Sequence, residues 1–216
     1  MKKILLAIAA LLAALVILVF IFREPLKQAG YDLITRDMFV AADAVDFEPG
    51  PAIGSHFPGV SARWQGRDIR LLQEFAGANG TVFVAARSVS WCPFCMRQLI
   101  QLQESRADWE AAGIGLVAMT YDDADARNAF VAQWGIEYPI LQDVDTLSFR
   151  TLGILNAEYA PGDMAYGIPY PGMIVIDAQG VVVGKLFVEA YSKRVDAHAA
   201  LAYAREVLGL TPAQGE

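Results

Sequence analysis

The hydrophobic pattern of the chain changes character three times. From Ile4 to Phe22 there are 19 consecutive uncharged apolar residues, preceded by Lys2-Lys3 and followed by Arg23-Glu24-Pro25. At about 1.5 Å per residue such a helix is about 28 Å long, close to the hydrocarbon thickness of a bilayer. The pattern predicts a transmembrane helix from Ile4 to Phe22 and an N-terminal membrane anchor over residues 1–24. The alternative is a cleaved secretory signal, but the run exceeds the usual apolar core of a signal, and no small-residue cleavage site follows it. Lys2 and Lys3 favour a cytoplasmic N-terminus, which puts the rest of the chain on the extracytoplasmic side, periplasmic in a Gram-negative bacterium; Arg23 and Lys27 weaken that bias.

Residues 25–49 read as a juxtamembrane spacer with helical character around Tyr31 to Phe39, ending at Pro49-Gly50-Pro51. From residue 50 to 210 short apolar runs alternate with amphipathic ones, and residues 211–216 form a polar tail. Gln65-Gly66 marks a turn between short strands, the second at Ile69 to Leu72. Thr81 to Ala86 is a continuous β-rich apolar run, which predicts a buried central strand. Leu99, Leu102 and Trp109 recur at helical spacing, so Pro93 to about Ala112 reads as a helix ended by Gly113. Ile114 to Met119 is a second buried strand. Asp122-Asp123 opens a helix bearing Phe130 and Trp134, closed by Gly135. A short strand (Tyr138 to Leu141), a short helix (Thr146 to Leu152) and a long Gly-, Pro- and Tyr-rich loop (Gly153 to Gly172) follow. A hairpin, Met173 to Ile176 with Val181 to Val188, and an amphipathic helix from Ser192 to Leu208 complete the chain. Strands alternating with helices predict an α/β domain, a central sheet with helices on both faces.

Composition narrows the chemistry. Net charge is −7 with no basic patch, which argues against nucleic acid. Two cysteines and two separated histidines cannot make a Cys/His zinc site without borrowing carboxylates, so no metal is expected. Nothing in the spacing sets His56 or His198 beside a cysteine, and no phosphate loop or serine elbow is present.

The two cysteines stand together in Ser90-Trp91-Cys92-Pro93-Phe94-Cys95, after a strand and at the mouth of a helix. That spacing lets two thiols close one disulfide. Free N–H groups and the positive dipole at a helix N-terminus favour a thiolate. Cys92 falls at the N-cap, with Pro93 at the first helical position, where a missing N–H costs nothing. Cys92 is therefore expected to be the exposed nucleophile and Cys95 the resolving thiol.

Four segments resemble the thioredoxin-like redoxins, in particular the peroxiredoxin-like branch of the alkyl hydroperoxide reductase/thiol-specific antioxidant family. They are Gly54-Ser55-His56-Phe57-Pro58, Arg87 to Cys95, Tyr121-Asp122-Asp123, and Tyr170-Pro171-Gly172-Met173-Ile174-Val175-Ile176-Asp177. The resemblance covers roughly Gly50 to Leu208 and implies a thioredoxin-like fold, a Cys92–Cys95 redox disulfide and no cofactor. It also implies that Pro171 is cis and faces the cysteines, with Pro169 a rival for that place. The family pattern is not complete. Val89 stands where peroxiredoxins carry a Thr, and Pro171 where they usually carry a peroxide-binding Arg. Arg87 and Arg97 are the nearest substitutes, each with an ordinary reading as a surface ion-pair partner. Trp91 reads as a cover over the sulfurs, a partner-contact surface, or both. Tyr159, Tyr166 and Tyr170 read as a partner-binding rim or as loop packing.

Three functions are open to such a chain. The first is a membrane-anchored thiol–disulfide oxidoreductase acting on a protein dithiol or disulfide. The second is a thiol peroxidase reducing hydroperoxides through a cysteine sulfenic acid. The third is a structural disulfide, disfavoured because so short a loop gains little from closure. The gaps at Val89 and Pro171 favour the first.

Overall fold

In the computed structural model, residues 12, 18–20, 22–23 and 26–210 are described. The expected span Ile4 to Phe22 lies mostly outside them. Among the described residues no helix is long and apolar enough to cross a membrane. Two compact units are present, Met1–Asp37 and Met38–Glu216. In the first, residues 26–35 are helical (α1), with Thr35 Oγ1 donating to the Tyr31 carbonyl.

The second unit is built on a mixed seven-stranded sheet of order β3-β2-β6-β5-β4-β7-β8. Its strands are β2 (Ala62–Trp64), β3 (Arg67–Ile69), β4 (Gly80–Ala85), β5 (Ile114–Thr120), β6 (Ile140–Asp143), β7 (Gly172–Asp177) and β8 (Val182–Phe187). β4 lies parallel to β5 and antiparallel to β7, and β5 lies parallel to β6. Successive side chains of a strand point to opposite faces, so β4 feeds two cores. Val82 and Val84 pack with Leu99, Leu102, Trp109, Phe130 and Ala204 under the helices α2 (Pro93–Glu104), α3 (Arg106–Ala111), α4 (Ala124–Trp134) and α6 (Ala197–Val207). Phe83 and Ala85 pack with Val117, Met119, Phe149 and Ile174 on the other face, beside α5 (Leu147–Thr151). The thioredoxin-like α/β fold expected from the sequence is present.

Several elements differ from expectation. The helix over Pro93 to Ala112 breaks at Ser105. Its hydroxyl donates to the Gln101 carbonyl at 3.0 Å and accepts the Trp109 indole N–H at 3.2 Å, which closes the first helix and starts a second. The second strand of the first hairpin ends at Ile69, and Leu72–Phe75 forms a 3₁₀ turn instead. The last helix begins at Ala197 rather than Ser192. The residues ahead of it form β9 (Arg194–Val195), which pairs in parallel with β1 (Phe39–Val40). Residues 38–49, read as spacer, thus belong to the compact unit.

No cis peptide bond occurs among the described residues, so Pro171 is trans, contrary to expectation. The cause lies just upstream. Pro169 is bridged to Leu155, and the Tyr170 N–H donates to the Ile154 carbonyl at 2.7 Å. The chain is therefore already extended before Pro171 and runs on into β7 without a sharp turn. Gly172 follows because a Cβ there would run into the buried Phe187 ring. Gly172→Ala is expected to destabilise the domain by about 1–3 kcal/mol through overpacking. A thermal melt should show the midpoint falling by about 2–4 °C for each kcal/mol lost.

Candidate redox site

The active segment leaves the C-terminal end of β4 and turns into α2. Cys92 caps α2, its sulfur accepting the Cys95 N–H at 3.3 Å, and Pro93 occupies the first turn as the sequence implies. The loop before the cap is fixed by Asp122, which is buried at the end of β5. One carboxylate oxygen accepts the Ser88 and Ser90 hydroxyls at 2.8 and 3.1 Å, and the other accepts the Val89 N–H at 2.8 Å. Asp123, not Asp122, is the N-cap of α4, accepting the Ala126 N–H at 2.9 Å. Two adjacent acids that read alike in the sequence therefore do separate jobs, and the loop-holding role of Asp122 had no signal there.

Both cysteines are 0% exposed, so Cys92 is not the exposed thiol it was expected to be. Two guanidiniums reach the same place. Arg194 Nη2 donates to the Cys95 sulfur at 3.3 Å, and Arg87 acts on both sulfurs electrostatically. Both arginines are only 2% exposed, and no carboxylate pairs with either among the described residues. Their Nε atoms have no hydrogen-bond partner. The carbonyl of Tyr191 accepts from Arg87 Nη2 at 2.6 Å and from Arg194 Nη1 at 3.1 Å. The Tyr191 ring lies 3.6 Å from the Arg87 guanidinium, a close cation–π contact, and meets Phe94 edge-on.

The acidities follow from this geometry. Burial pushes the Cys92 thiol up, reinforced by its hydrogen bond to Cys95. Burial also opposes a charge on Cys95, but the Cys92 hydrogen bond and the fields of Arg194 and Arg87 outweigh it, holding Cys95 well below the usual thiol range. The two thiols titrate as one coupled pair, in which the Arg194 contact favours the negative charge on Cys95. The expected order, with Cys92 the more acidic, is reversed, because burial and the neighbouring Cys95 outweigh the two arginines at the outer sulfur, whereas Arg194 donates directly to the inner one. Arg87 stays a cation: burial works against it, and the two sulfurs hold its acidity below the ordinary guanidinium level.

The other expected residues sort as follows. Trp91 is 38% exposed and donates its indole N–H to the Tyr121 hydroxyl at 2.8 Å, which fits a contact surface better than a cover. Pro171 sits at the head of β7, beside the Gly172–Ala85 pairing. Arg97 is a surface residue paired with Glu104. Tyr166 and Tyr170 are engaged in loop hydrogen bonds, to Arg150 and to the Ala157 N–H. Tyr159 lies close enough to Tyr191 to act on its ionisation. His56 pairs through its backbone with Val181, and His198 stands in the first turn of α6. Arg194 and Tyr191 were not foreseen.

A dithiol at a helix cap, beside a mixed sheet of this order, defines a thioredoxin-like redoxin. Residues 53–185 match the model of the AhpC/TSA family, and the chain belongs to that family. It is an oxidoreductase acting on thiol groups. No curated protein matches the chain. Among solved structures it resembles the peroxidoxin BcpB of Mycobacterium tuberculosis at 16% identity and TM-score 0.56, covering 76% of this chain and 97% of that one. It also resembles reduced Prx3 of Vibrio vulnificus (20%, TM-score 0.61, coverage 72% and 99%). A peroxiredoxin-like protein of Aquifex aeolicus is similar at 17% identity and TM-score 0.59, with coverage of 74% and 90%. At these identities the likeness concerns the fold.

The acidity order is open to measurement. Because the Cys95 acidity is raised and that of Cys92 lowered, one thiolate per chain is expected to persist as pH falls from neutral into the acid range. The second proton should leave only far above the ordinary thiol value of about 8.5. Titration of thiolate ultraviolet absorbance, with the alkylated protein as blank, reads both steps. A single two-proton transition near the ordinary thiol value would contradict the assignment.

Proposed function

We propose that this protein is a thiol peroxidase that reduces hydroperoxides with the Cys92–Cys95 pair. The observation that carries this reading is the full burial of both sulfurs beneath two guanidiniums. A folded partner's disulfide cannot reach sulfurs so enclosed without displacing the surrounding loop, whereas a small hydroperoxide needs only a transient opening. Positive charge at the sulfurs favours the thiolate and also the negative charge that develops on the departing oxygen. The family membership and the peroxiredoxin likeness of the fold support the same reading.

In the proposed reaction the Cys92 proton passes to Cys95 as the peroxide enters, an uphill transfer against the resting acidity order that the fields of Arg87 and Arg194 ease, and the outer sulfur becomes the nucleophile. The Cys92 thiolate attacks the terminal peroxide oxygen and the O–O bond breaks. The alcohol or water leaves with a proton from solvent, and Cys92 carries a sulfenic acid. Cys95, losing its proton, attacks the Cys92 sulfur, water leaves, and the disulfide forms. A small dithiol, entering by the same transient opening as the peroxide, then reduces it by exchange. Arg87 and Arg194 take the part assigned in the family to the Arg that Pro171 replaces.

Full-length protein should consume hydrogen peroxide or cumene hydroperoxide with a dithiol as reductant. Cys92→Ser should lose at least about 10³-fold in rate, as on removing a catalytic nucleophile. Cys95→Ser should still form a sulfenic acid at Cys92, trapped with dimedone. Sulfenic acid at Cys95 in Cys92→Ser would reverse the two roles. The exposed aromatics Trp91 and Tyr191 favour a second reading, exchange with a protein disulfide. It gains the case if Cys95→Ser captures a protein as a mixed disulfide while peroxide turnover stays poor.

The apolar run Ile4 to Phe22 supports a single-pass tether, with the redox domain outside the cytoplasm. The full chain should then stay with membranes through alkaline carbonate extraction, and recovery in the supernatant would count against the tether.

A further inference from the structure

Residues Met38 to Glu48 lie upstream of the matched family region, yet they are built into the same unit as the redox pair. Arg194, whose guanidinium touches the Cys95 sulfur, is held by this segment through its backbone. The Arg194 N–H donates to the Met38 carbonyl at 2.9 Å, and the Asp196 N–H donates to the Val40 carbonyl at 2.9 Å. These bonds form the parallel β1–β9 pair, in register Phe39 to Arg194 and Val40 to Val195. Met38 is buried, and Val40, Ala42 and Val45 pack against the core that contains both cysteines. Farther along, Asp46 accepts the Glu189 N–H at 2.9 Å, and Phe47 is bridged to Phe187. The segment is a strap whose first strand fixes the backbone of the arginine.

We infer that this strap is a positioning element for the redox pair: β1 sets where Arg194 stands, and so how firmly the thiolate is held. The other end of β9 is fixed separately. Asp196 caps α6 and bonds the Gln101 amide, whose carbonyl oxygen accepts the Ala197 N–H at 3.0 Å. Gln101 lies on α2, the helix that carries Cys95. The arginine is thus spanned between α2 and the strap. With the strap loosened, β9 keeps only its packing on β8 and the Asp196–Gln101 bond, and the guanidinium can move with it away from the sulfur. The charged groups facing the pair are Arg194 and Arg87, and Arg87 has no bond to the strap, so its share of the field remains.

The inference rests on the redox pair invoked above, but its readout is thiolate acidity in the full-length protein and needs no peroxide turnover. Failure of one reading is therefore distinguishable from failure of the other. Val40→Pro removes a backbone N–H from β1. It is expected to shift the first thiolate step alkaline by about one pH unit, within the range for withdrawal of one opposite charge. The reference for the direction is Arg194→Gln, and circular dichroism should show a retained fold. Asp46→Ala, which removes the acceptor of the Glu189 N–H and frees only the distal end of the strap, should leave the step in place. If Val40→Pro does not fold, Val40→Gly, which keeps the N–H and only loosens the strand, is expected to give a smaller shift of the same sign. Its Arg194 and Asp196 amides should exchange hydrogen faster. An unshifted titration in a folded β1 variant whose Arg194 amide exchanges faster would overturn the inference.

Discussion

Two buried arginines face one thiolate, and much of the surrounding architecture follows from the difficulty of that arrangement. A charge removed from water costs several kcal/mol unless it is paired or hydrogen-bonded. Arg87 and Arg194 have no carboxylate partner among the described residues, so their compensation comes from the Cys95 sulfur, from the Tyr191 carbonyl and from the Tyr191 ring. The dependence is mutual. The sulfur's charge is tolerable in a buried site only because the guanidiniums are there, and they are tolerable in part because the sulfur is charged. Oxidation to the disulfide removes the anion and leaves both cations, so the oxidised site is electrostatically the poorer of the two.

The scaffold keeps these groups in place from several directions. Asp122 at the end of β5 ties down Ser88, Val89 and Ser90. β4 carries Arg87 just beyond its last residue, and α2 carries both sulfurs. β9 carries Arg194, and the loop before it carries Tyr191. Residues far apart in the chain thus meet at the C-terminal ends of β4 and β5, where the parallel pair opens toward the α2 cap. The AhpC/TSA match stops at residue 185, before Tyr191 and Arg194. Arg194 and Tyr191 therefore come from outside the matched region, while Arg87 lies within it.

That division explains what the sequence disclosed. Cys92, Pro93 and Cys95 were legible because their chemistry is local: a cap, a proline at the first helical position and a thiol one turn on are read from spacing alone. The central strands were legible because a buried strand is a continuous apolar run. Arg194 was not, since its contact with Cys95 bridges 99 residues and depends on the register of a two-residue strand. The stretch from Ser192 looked like the beginning of an amphipathic helix, and pairing with β1 overrode that local preference. Residues 38–49 looked like a spacer for the same reason: their role lies in what they pair with. Pro171 was misread in the opposite way. A family expectation was carried onto a chain whose preceding residues are already locked to Ile154 and Leu155, leaving no turn for a cis bond to make.

The acidity order carries a mechanistic consequence. If Cys92 alone were the acidic thiol, the resolving cysteine would have to be deprotonated afterward, in a site already crowded with buried charge. With the charge stored on Cys95 and the shared proton on Cys92, each can serve the other. In the proposed peroxidase reaction the inner sulfur would take the proton when the outer one attacks, and would return as thiolate when the sulfenic acid is resolved. In that proposed scheme the first proton passes between the two sulfurs and the leaving oxygen takes its proton from solvent. Val89 offers no hydroxyl to the sulfurs, and the groups that favour a charge on Cys92 are the two arginines, against its burial and the neighbouring Cys95.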